Sequence, residues 1–394
     1  MRALAFAVAA VAAVASARAT ATLTAPTLDL DFAGFKRKFG KRYASPEEHK
    51  QRQAVFFANV AELRAMGDPT LGITEFTDMT DEEFAARWLG KVADARPPSA
   101  PRFYDGTSCP ACKRFPELRN VTAAADAFDW TDHGAVTNVK TQNCGDCYAF
   151  SAAADIEGSY FLAGNALTPV NISQSTFASF ERAAECISRR YGPDSHSCAF
   201  PLHFHDRSMS VEQIDDCCFE DMSILDCAGC AGGEPHEVFT WLQTKVAGMC
   251  SDAAYPYTVP KRQPHPSACQ RGLITKADVT ARVTGWYFVS QGAASESNIT
   301  AALPKIGPVS IGMDALHAKM KQYTGGIAQP VCAKGSVLNH ALLLVGYGTE
   351  NGVDYWKVKN SWGTGWGEDG YYRVVRGKNA CGIAEDVTHS EVAR

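Results

Sequence analysis

The stretch Val139-Lys140-Thr141-Gln142-Asn143-Cys144-Gly145-Asp146-Cys147-Tyr148-Ala149-Phe150-Ser151 decides how this chain is read. From Cys147 to Leu162, apolar residues (Phe150, Ala153, Ala154, Ile156, Tyr160, Phe161) recur at helical spacing and Gly164 stands just beyond. The segment therefore predicts a helix with Cys147 at its N-terminus. A cysteine attacks as its thiolate, and a helix N-terminus is one of two usual ways to lower a thiol pKa, a neighbouring imidazolium being the other. The competing reading is one more bridged cysteine in a chain that carries fourteen.

The surroundings narrow the choice. With 394 residues, 46% hydrophobic and 21% charged, the chain is globular material for two or three domains. A net charge of −5, mixed in sign along the chain, gives no sign of a nucleic-acid partner. Arg2, the apolar run Ala3 to Val14 and Ala17-Arg18-Ala19 read as a signal peptide over residues 1–19. No other stretch reaches about 18 unbroken apolar residues, so no membrane anchor is expected. Behind such a signal, most cysteines are expected in disulfides formed along the secretory pathway, on the way to a lysosome, a vacuole or the extracellular space. The sequons at Asn120, Asn171 and Asn298 fit that route as glycosylation sites.

Ser45-Pro46-Glu47-Glu48 carries the marks of a helix start, and Val55, Phe56, Asn59, Val60, Leu63 and Met66 continue at three- and four-residue spacing up to the stop at Gly67. Residues Ala93 to Arg114, rich in Pro and short polar runs, read as a linker. The stretch Asn171 to Met209 is too long for an ordinary connection and reads as an insertion ahead of the Cys-rich block Cys217 to Cys230. Cys198, His203 and His205 lie close together there but lack the spacing zinc requires, so neither a metal nor a cofactor is expected. The last third turns β-prone over Val337 to Gly346, Asp354 to Asn360 and Tyr371 to Val375, with a hairpin signal at Glu350-Asn351-Gly352. A helical half thus precedes a β half.

The opening stretch closely resembles the active-site segment of papain-like cysteine peptidases, cathepsins L and B among them. Leu338-Asn339-His340-Ala341 and Val358-Lys359-Asn360-Ser361-Trp362-Gly363 match the family's later motifs in the family's order. The resemblance implies an α+β, papain-like two-domain fold: a helical left domain, a β-barrel-like right domain, and the active site in the cleft between them. It makes Cys147 the nucleophile, His340 the base, Asn360 the residue that holds the imidazole under Trp362, and Gln142 the oxyanion donor. Gln142 stands five residues before Cys147, one fewer than the family's spacing, while Asp146 and Tyr148 replace the usual Ser and Trp.

At the front, Glu48, Arg52, Phe56, Asn59 and Leu63, then Gly72, Phe76 and Asp78, fall on the family's inhibitory proregion, with Gly67 and Thr74 where Asn is usual. The implied organisation is a proregion with its linker over 20–122, helical from about 29 to 90, and a peptidase domain over 123–394 with the insertion at 171–209. Processing is expected near Val121 to Asp126. The resemblance further implies bridges Cys144 to Cys230, Cys217 to Cys269 and Cys332 to Cys381. Cys109, Cys112, Cys186, Cys198, Cys218, Cys227 and Cys250 are left over, and among these a Cys186 to Cys198 bridge is preferred. Gly233 would pair with an extended substrate, and Gly232, Pro235, Gly312 and Asp386 would line the pocket for the second residue before the scissile bond, the acid favouring Arg or Lys there.

The expected protein is a monomeric cysteine endopeptidase of protein or peptide substrates, made as an inactive precursor with its own proregion as inhibitor. A catalytically weak or silent binding protein of the same fold is the rival reading, and an exopeptidase with a capped cleft a third.

Overall fold

The computed structural model describes residues 28–90, 102–121, 127–165, 167, 208–222, 227–246, 248–258, 268–274, 279–292, 296–333 and 337–393. The signal segment, Asn171, the group Cys198, His203 and His205, the pair Cys186 and Cys198, and nearly all of the 171–209 insertion lie outside the described residues.

An N-terminal unit comes first. Helix α1 (Phe32–Lys38) is capped by Asp31, whose carboxylate accepts the Gly34 amide. Helix α2 (Pro46–Met66) starts at Ser45, whose hydroxyl accepts the Glu48 amide, and ends at Gly67, where the left-handed φ of 63° suits a residue without Cβ. The Glu48 carboxylate turns back to the Ala44 amide at 2.6 Å, one residue before the expected partner. Helix α3 (Asp81–Trp88) carries a full capping box between Thr80 and Glu83. Phe32, Phe35, Phe56, Val60 and Ile73 pack into a small core of their own. Met66, in the last turn of α2, is 46% exposed and leaves the expected stripe.

The motif residues of this unit hold α2 to the chain that follows it. Asn59 donates to the carbonyls of Thr77 and Met79, Arg52 to the Asp78 carbonyl and the Glu83 carboxylate, and Tyr43 to Asp78. Thr74 donates to the Lys321 carbonyl at 2.6 Å and accepts the Phe76 amide, so it ties the unit to the C-terminal half.

Helices α4 (Cys147–Leu162), α5 (Val211–Met222) and α6 (Pro235–Thr244) precede most of the sheet. The sheet comprises β1 (Phe128–Asp129), β2 (Met249–Cys250), β3 (Val279–Gln291), β4 (Val309–Met313), β5 (Ile327–Ala328), β6 (His340–Glu350), β7 (Val353–Lys359), β8 (Tyr371–Val375) and β9 (Asp386–Ala393). Its order is β2-β3-β9-β4-β6-β7-β8-β5, with β1 pairing to β6. The hairpin falls where the sequence places it: Asn351 and Gly352 both have positive φ, as a two-residue turn between β6 and β7 requires.

The expected barrel-like right domain is corrected here. The sheet is open, its path ending at the two-residue strands β2 and β5, which do not pair with each other. One face is closed by packing instead: α4 lies across β4, β6 and β9, and α7 (Glu296–Ile306) rests on β3 and β6. The division into halves is also incomplete, because β1 carries the chain into the sheet before α4 begins.

The expected linker is corrected as well. Residues 102–121 keep most side chains exposed but are anchored onto β3 and α4 at several points. Tyr104 donates to the Phe288 carbonyl at 2.9 Å and Phe288 to the Arg102 carbonyl at 2.8 Å, which adds a short parallel rung to β3. Tyr104 stacks on Tyr287, and Arg114 lies 3.7 Å over the Phe161 ring while donating to the Phe161 and Asn165 carbonyls. Ala111, Cys112 and Leu118 are buried in the main core.

Five bridges are present among the described residues: Cys144–Cys230, Cys217–Cys269, Cys332–Cys381, Cys218–Cys227 and the local Cys109–Cys112. Cys147 and Cys250 keep thiols. Asn120 and Asn298 are exposed.

If 102–121 belongs to the core, Leu118→Ala should lower the unfolding free energy by about 2–5 kcal/mol, as for other buried leucines. Urea unfolding measures this, and a change below about 0.5 kcal/mol would return the segment to the status of a surface linker.

Candidate active site

Cys147 is the first residue of α4, so its own amide lacks an acceptor within the helix. Its side chain is buried, and the Ala341 amide points at Sγ from 3.4 Å. That contact joins residues 194 apart and brings the start of α4 to the start of β6, where His340 stands. His340 Nε2 lies 2.8 Å from Asn360 Oδ1, and its ring stacks on Trp362 with centroids 4.7 Å apart.

The tautomer follows from the neighbours. Asn360 Oδ1 also accepts the Ser361 amide at 2.8 Å, which fixes the side chain with its oxygen toward the imidazole. His340 Nε2 must therefore donate. In the neutral ring, Nδ1 then carries the lone pair, and it has no hydrogen-bond partner.

Gln142 is fully buried at the edge of this group. Its amide donates to the Ser361 carbonyl, its Oε1 accepts the Ser361 hydroxyl, and its Nε2 donates to the carbonyls of Cys144 (2.6 Å) and Trp88 (3.0 Å). The loop that is one residue short thus spends one of its two amide hydrogens on itself and turns the other outward.

Asp146 does not face solvent. It is buried with its Oδ2 on the Tyr257 hydroxyl at 2.6 Å, and burial pushes its carboxyl up to about 7 against the opposing hydrogen bonds with Tyr257 and Asp215. Its charge beside the sulfur is correspondingly weakened near neutral pH. Tyr148 stands under the same site and accepts the Gly229 amide.

The N-terminal unit runs across the nucleophile. Trp88, Leu89 and Gly90 pass over it, and a Cβ added at Gly90 would lie 2.4 Å from the Gly145 carbonyl oxygen, 3.0 Å from Gly232 Cα and 3.3 Å from Cys147 Sγ. No side chain fits there. Phe84 meets Trp362 edge-on at 5.1 Å and Phe76 at 5.7 Å. Asp81 bridges to Lys321 at 2.5 Å and to Lys319 at 3.1 Å, and the Gly72 amide donates to Gln322.

Covered in this way, both reactive groups are held neutral. Burial pushes the Cys147 thiol up to about 11 despite the amides of Ala341, Gly90 and Tyr148, and burial pushes His340 down to about 4 despite Asn360.

The remaining residues singled out from the sequence fall into two places: Gly232, beside Cys147 across Gly90, and Gly312, beside Asp386. Gly232 and Gly233 follow the bridged Cys230, Pro235 opens α6, and Gly312 sits in β4 with a would-be Cβ 3.7 Å from Asp386 Cβ. Asp386 is 3% exposed and not a solvated surface acid. The sequence reading did not single out Ser361, which holds both Asn360 and Gln142, or Glu234 and His236 beside Asp386. The charged run Glu234-Pro235-His236-Glu237 at a helix start was the available signal for the latter.

Comparison with known proteins agrees with this arrangement. The family model described as "Papain family cysteine protease" matches residues 124–187 and 196–390, and "Cathepsin propeptide inhibitor domain (I29)" matches residues 32–84. Among curated proteins, Cysteine proteinase 15A of Pisum sativum is 34% identical, with 89% of this chain and 83% of that protein covered. Digestive cysteine proteinase 1 of Homarus americanus is 33% identical, with 91% and 93% covered. Among solved structures, digestive procathepsin L 3 of Tenebrio molitor larval midgut superposes with a TM-score of 0.64 at 28% identity, covering 92% of this chain and 99% of that one. With its motifs, its cleft and its covering N-terminal unit accounted for in this way, the chain belongs to the papain family of cysteine proteases and carries a cathepsin-type propeptide inhibitor domain.

Proposed function

We propose that this cysteine endopeptidase precursor uses Cys147 as nucleophile, His340 as base and acid, Asn360 as the group that orients the imidazole, and Gln142 with the Cys147 amide as oxyanion donors. The observation that carries the reading is the Trp88 carbonyl on Gln142 Nε2, with Gly90 against Sγ. The Trp88 oxygen stands in for the carbonyl oxygen of a substrate, held by a chain that is not cleaved.

Once the cover leaves, the thiol proton passes to His340 Nδ1 and Sγ attacks the peptide carbonyl carbon. The oxyanion takes the donor that Trp88 vacates. Collapse of the tetrahedral intermediate breaks the C–N bond, and His340 returns its proton to the leaving amine. Water, deprotonated by the same imidazole, then hydrolyses the thioester.

The Gln142 bond to Cys144 is the one observation that favours a silent relative, since it fixes part of the donor. The second amide hydrogen answers it, because that hydrogen points to the cleft. Substrate lies extended along Gly233, and the pocket of Gly232, Pro235, Gly312 and Asp386 takes the second residue before the scissile bond. The enzyme works as a monomer, and its disulfides and exposed sequons at Asn120 and Asn298 suit the secretory pathway, with a lysosomal, vacuolar or extracellular destination.

Processing near Val121 to Asp126 completes the reading, supported by the start of the papain-family match at residue 124.

Three outcomes check this reading. An active-site-directed epoxide should label Cys147 in the processed protein at some pH between about 4 and 7, and should label the precursor far more slowly, because its thiol is raised and covered. Failure to label the processed form would leave the silent-relative reading standing.

Gly90→Val has no space for its side chain and should unseat the cover. The precursor should then hydrolyse end-blocked fluorogenic peptides at a rate approaching that of the processed enzyme, whereas an unchanged latent precursor would contradict the seating described.

Acid should also release the cover. Burial works to raise Asp81, but hydrogen bonds and charge from Lys321 and Lys319 outweigh it, and Arg52 likewise outweighs burial at Glu83, so both carboxyls sit below their ordinary values of 3.8 and 4.5. The Asp81 contribution to docking, and the Glu83 contribution to the contact of α3 with α2 inside the unit, are complete above those values and are lost as pH falls through the lowered ones. Activation should therefore accelerate below about pH 4.5, and Asp81→Asn should shift its onset upward; an unshifted activation profile would remove Asp81 from the clamp.

A further inference from the structure

One cluster of titratable side chains takes no part in the peptide-bond chemistry. Glu234 immediately precedes α6, His236 lies in its first turn, and Asp386 opens β9. They are 1%, 2% and 3% exposed. His236 Nδ1 lies 3.8 Å from Glu234 Oε2, and one ligand atom from each of the three falls within 4.8 Å of the others. His236 Nδ1 and Asp386 Oδ1 are buried without a hydrogen-bond partner. Such atoms ordinarily find one.

The second imidazole nitrogen supplies the direction. His236 Nε2 lies 3.6 Å from Oε1 of Glu237, the next residue in the chain. A carboxylate on that side favours the Nε2–H tautomer and leaves the Nδ1 lone pair facing Glu234 and Asp386. Proteins commonly orient a metal-binding histidine by a carboxylate on the ring nitrogen that faces away from the metal.

We propose that Glu234, His236 and Asp386 form a binding site for a divalent cation of the zinc class. Two carboxylate oxygens and one imidazole nitrogen are ligands zinc accepts, with bonds of about 2.0–2.2 Å and a fourth position left for water or another ligand. Tetrahedral bonds of that length set ligand atoms about 3.4 Å apart, so the observed separations close by modest side-chain rotation. Calcium and magnesium want six or more oxygens, or a largely hydrated shell, and are poorly served by an imidazole. No zinc-like spacing is visible along the chain because the third ligand is contributed by a strand some 150 residues from the other two.

On the subsite assignment proposed above, occupancy would place positive charge at the base of the pocket where Asp386 alone would receive Arg or Lys. The site itself does not depend on that assignment.

The test uses the full precursor carrying Cys147→Ala, which removes the reactive thiol as a competing ligand. After dialysis against chelator, Co2+ is added and then displaced with Zn2+. The expected result is stoichiometric uptake with visible d–d bands, lost in His236→Ala and in Asp386→Asn, and weakened by roughly 10- to 100-fold in Glu237→Gln. Glu237→Gln keeps all three ligands, so it reads the site even where a ligand variant folds poorly. No uptake, or uptake equal in all four proteins, overturns the proposal. Binding of a peptide with Arg at the second position by the processed protein, with no metal uptake by either form, overturns it as well, leaving the cluster a receptor for a basic side chain.

Discussion

The fold depends on bringing the N-terminus of one helix against the first residues of one strand. The Ala341 amide on Cys147 Sγ marks that meeting, and neighbouring polar contacts hold it in place. Ser151 donates to the Leu342 carbonyl at 2.6 Å, and Asp155 receives the amides of Ser310 and Ser390 from strands β4 and β9. A buried carboxylate that satisfies amides on two strands sets the position of α4 across the sheet far more sharply than apolar packing, which tolerates sliding. Sulfur and imidazole inherit their spacing from that register.

Burial has two effects at this site. It keeps Trp362 over the imidazole and His340 against Asn360, which preserves the geometry, and it also disfavours both charges of the thiolate–imidazolium pair. Latency of the precursor therefore has an electrostatic part besides the steric one. Asp146 follows the same logic: an acid beside Cys147 is tolerable because burial weakens its charge, although the hydrogen bonds with Tyr257 and Asp215 oppose that effect.

Much of this was legible in the sequence where local rules govern. The ends of α2 and α4, the Asn351-Gly352 turn and the grouping of Cys147, His340 and Asn360 rest on caps, periodicity and motif, which short segments display on their own. What escaped depends on distant partners. Residues 102–121 look like a linker because their apolar residues are few, yet Ala111, Cys112 and Leu118 each find a place in the core. Closure of the sheet could not be judged from strand-forming runs, since it turns on what the edge strands β2 and β5 meet. Cys109–Cys112 and Cys218–Cys227 are short-range bridges that composition alone left among several possibilities. Asp386 reads from the sequence as a pocket acid for Arg or Lys, and its neighbours Glu234 and His236 come into view only in the fold.

The N-terminal unit is built in two parts with different allegiances. Phe32, Phe35 and Phe56 stay in a core of their own, while Phe76, Phe84 and Leu89 are counted into the core of the peptidase. When the unit departs, the first group leaves intact and the second withdraws aromatic surface from Trp362, exposing a continuous apolar strip along the cleft. The liberated enzyme is thus less soluble in character than its precursor. The same strip that attracts an apolar substrate would, in a crowded compartment without one, invite self-association, so the precursor is also the form better suited to storage at high concentration.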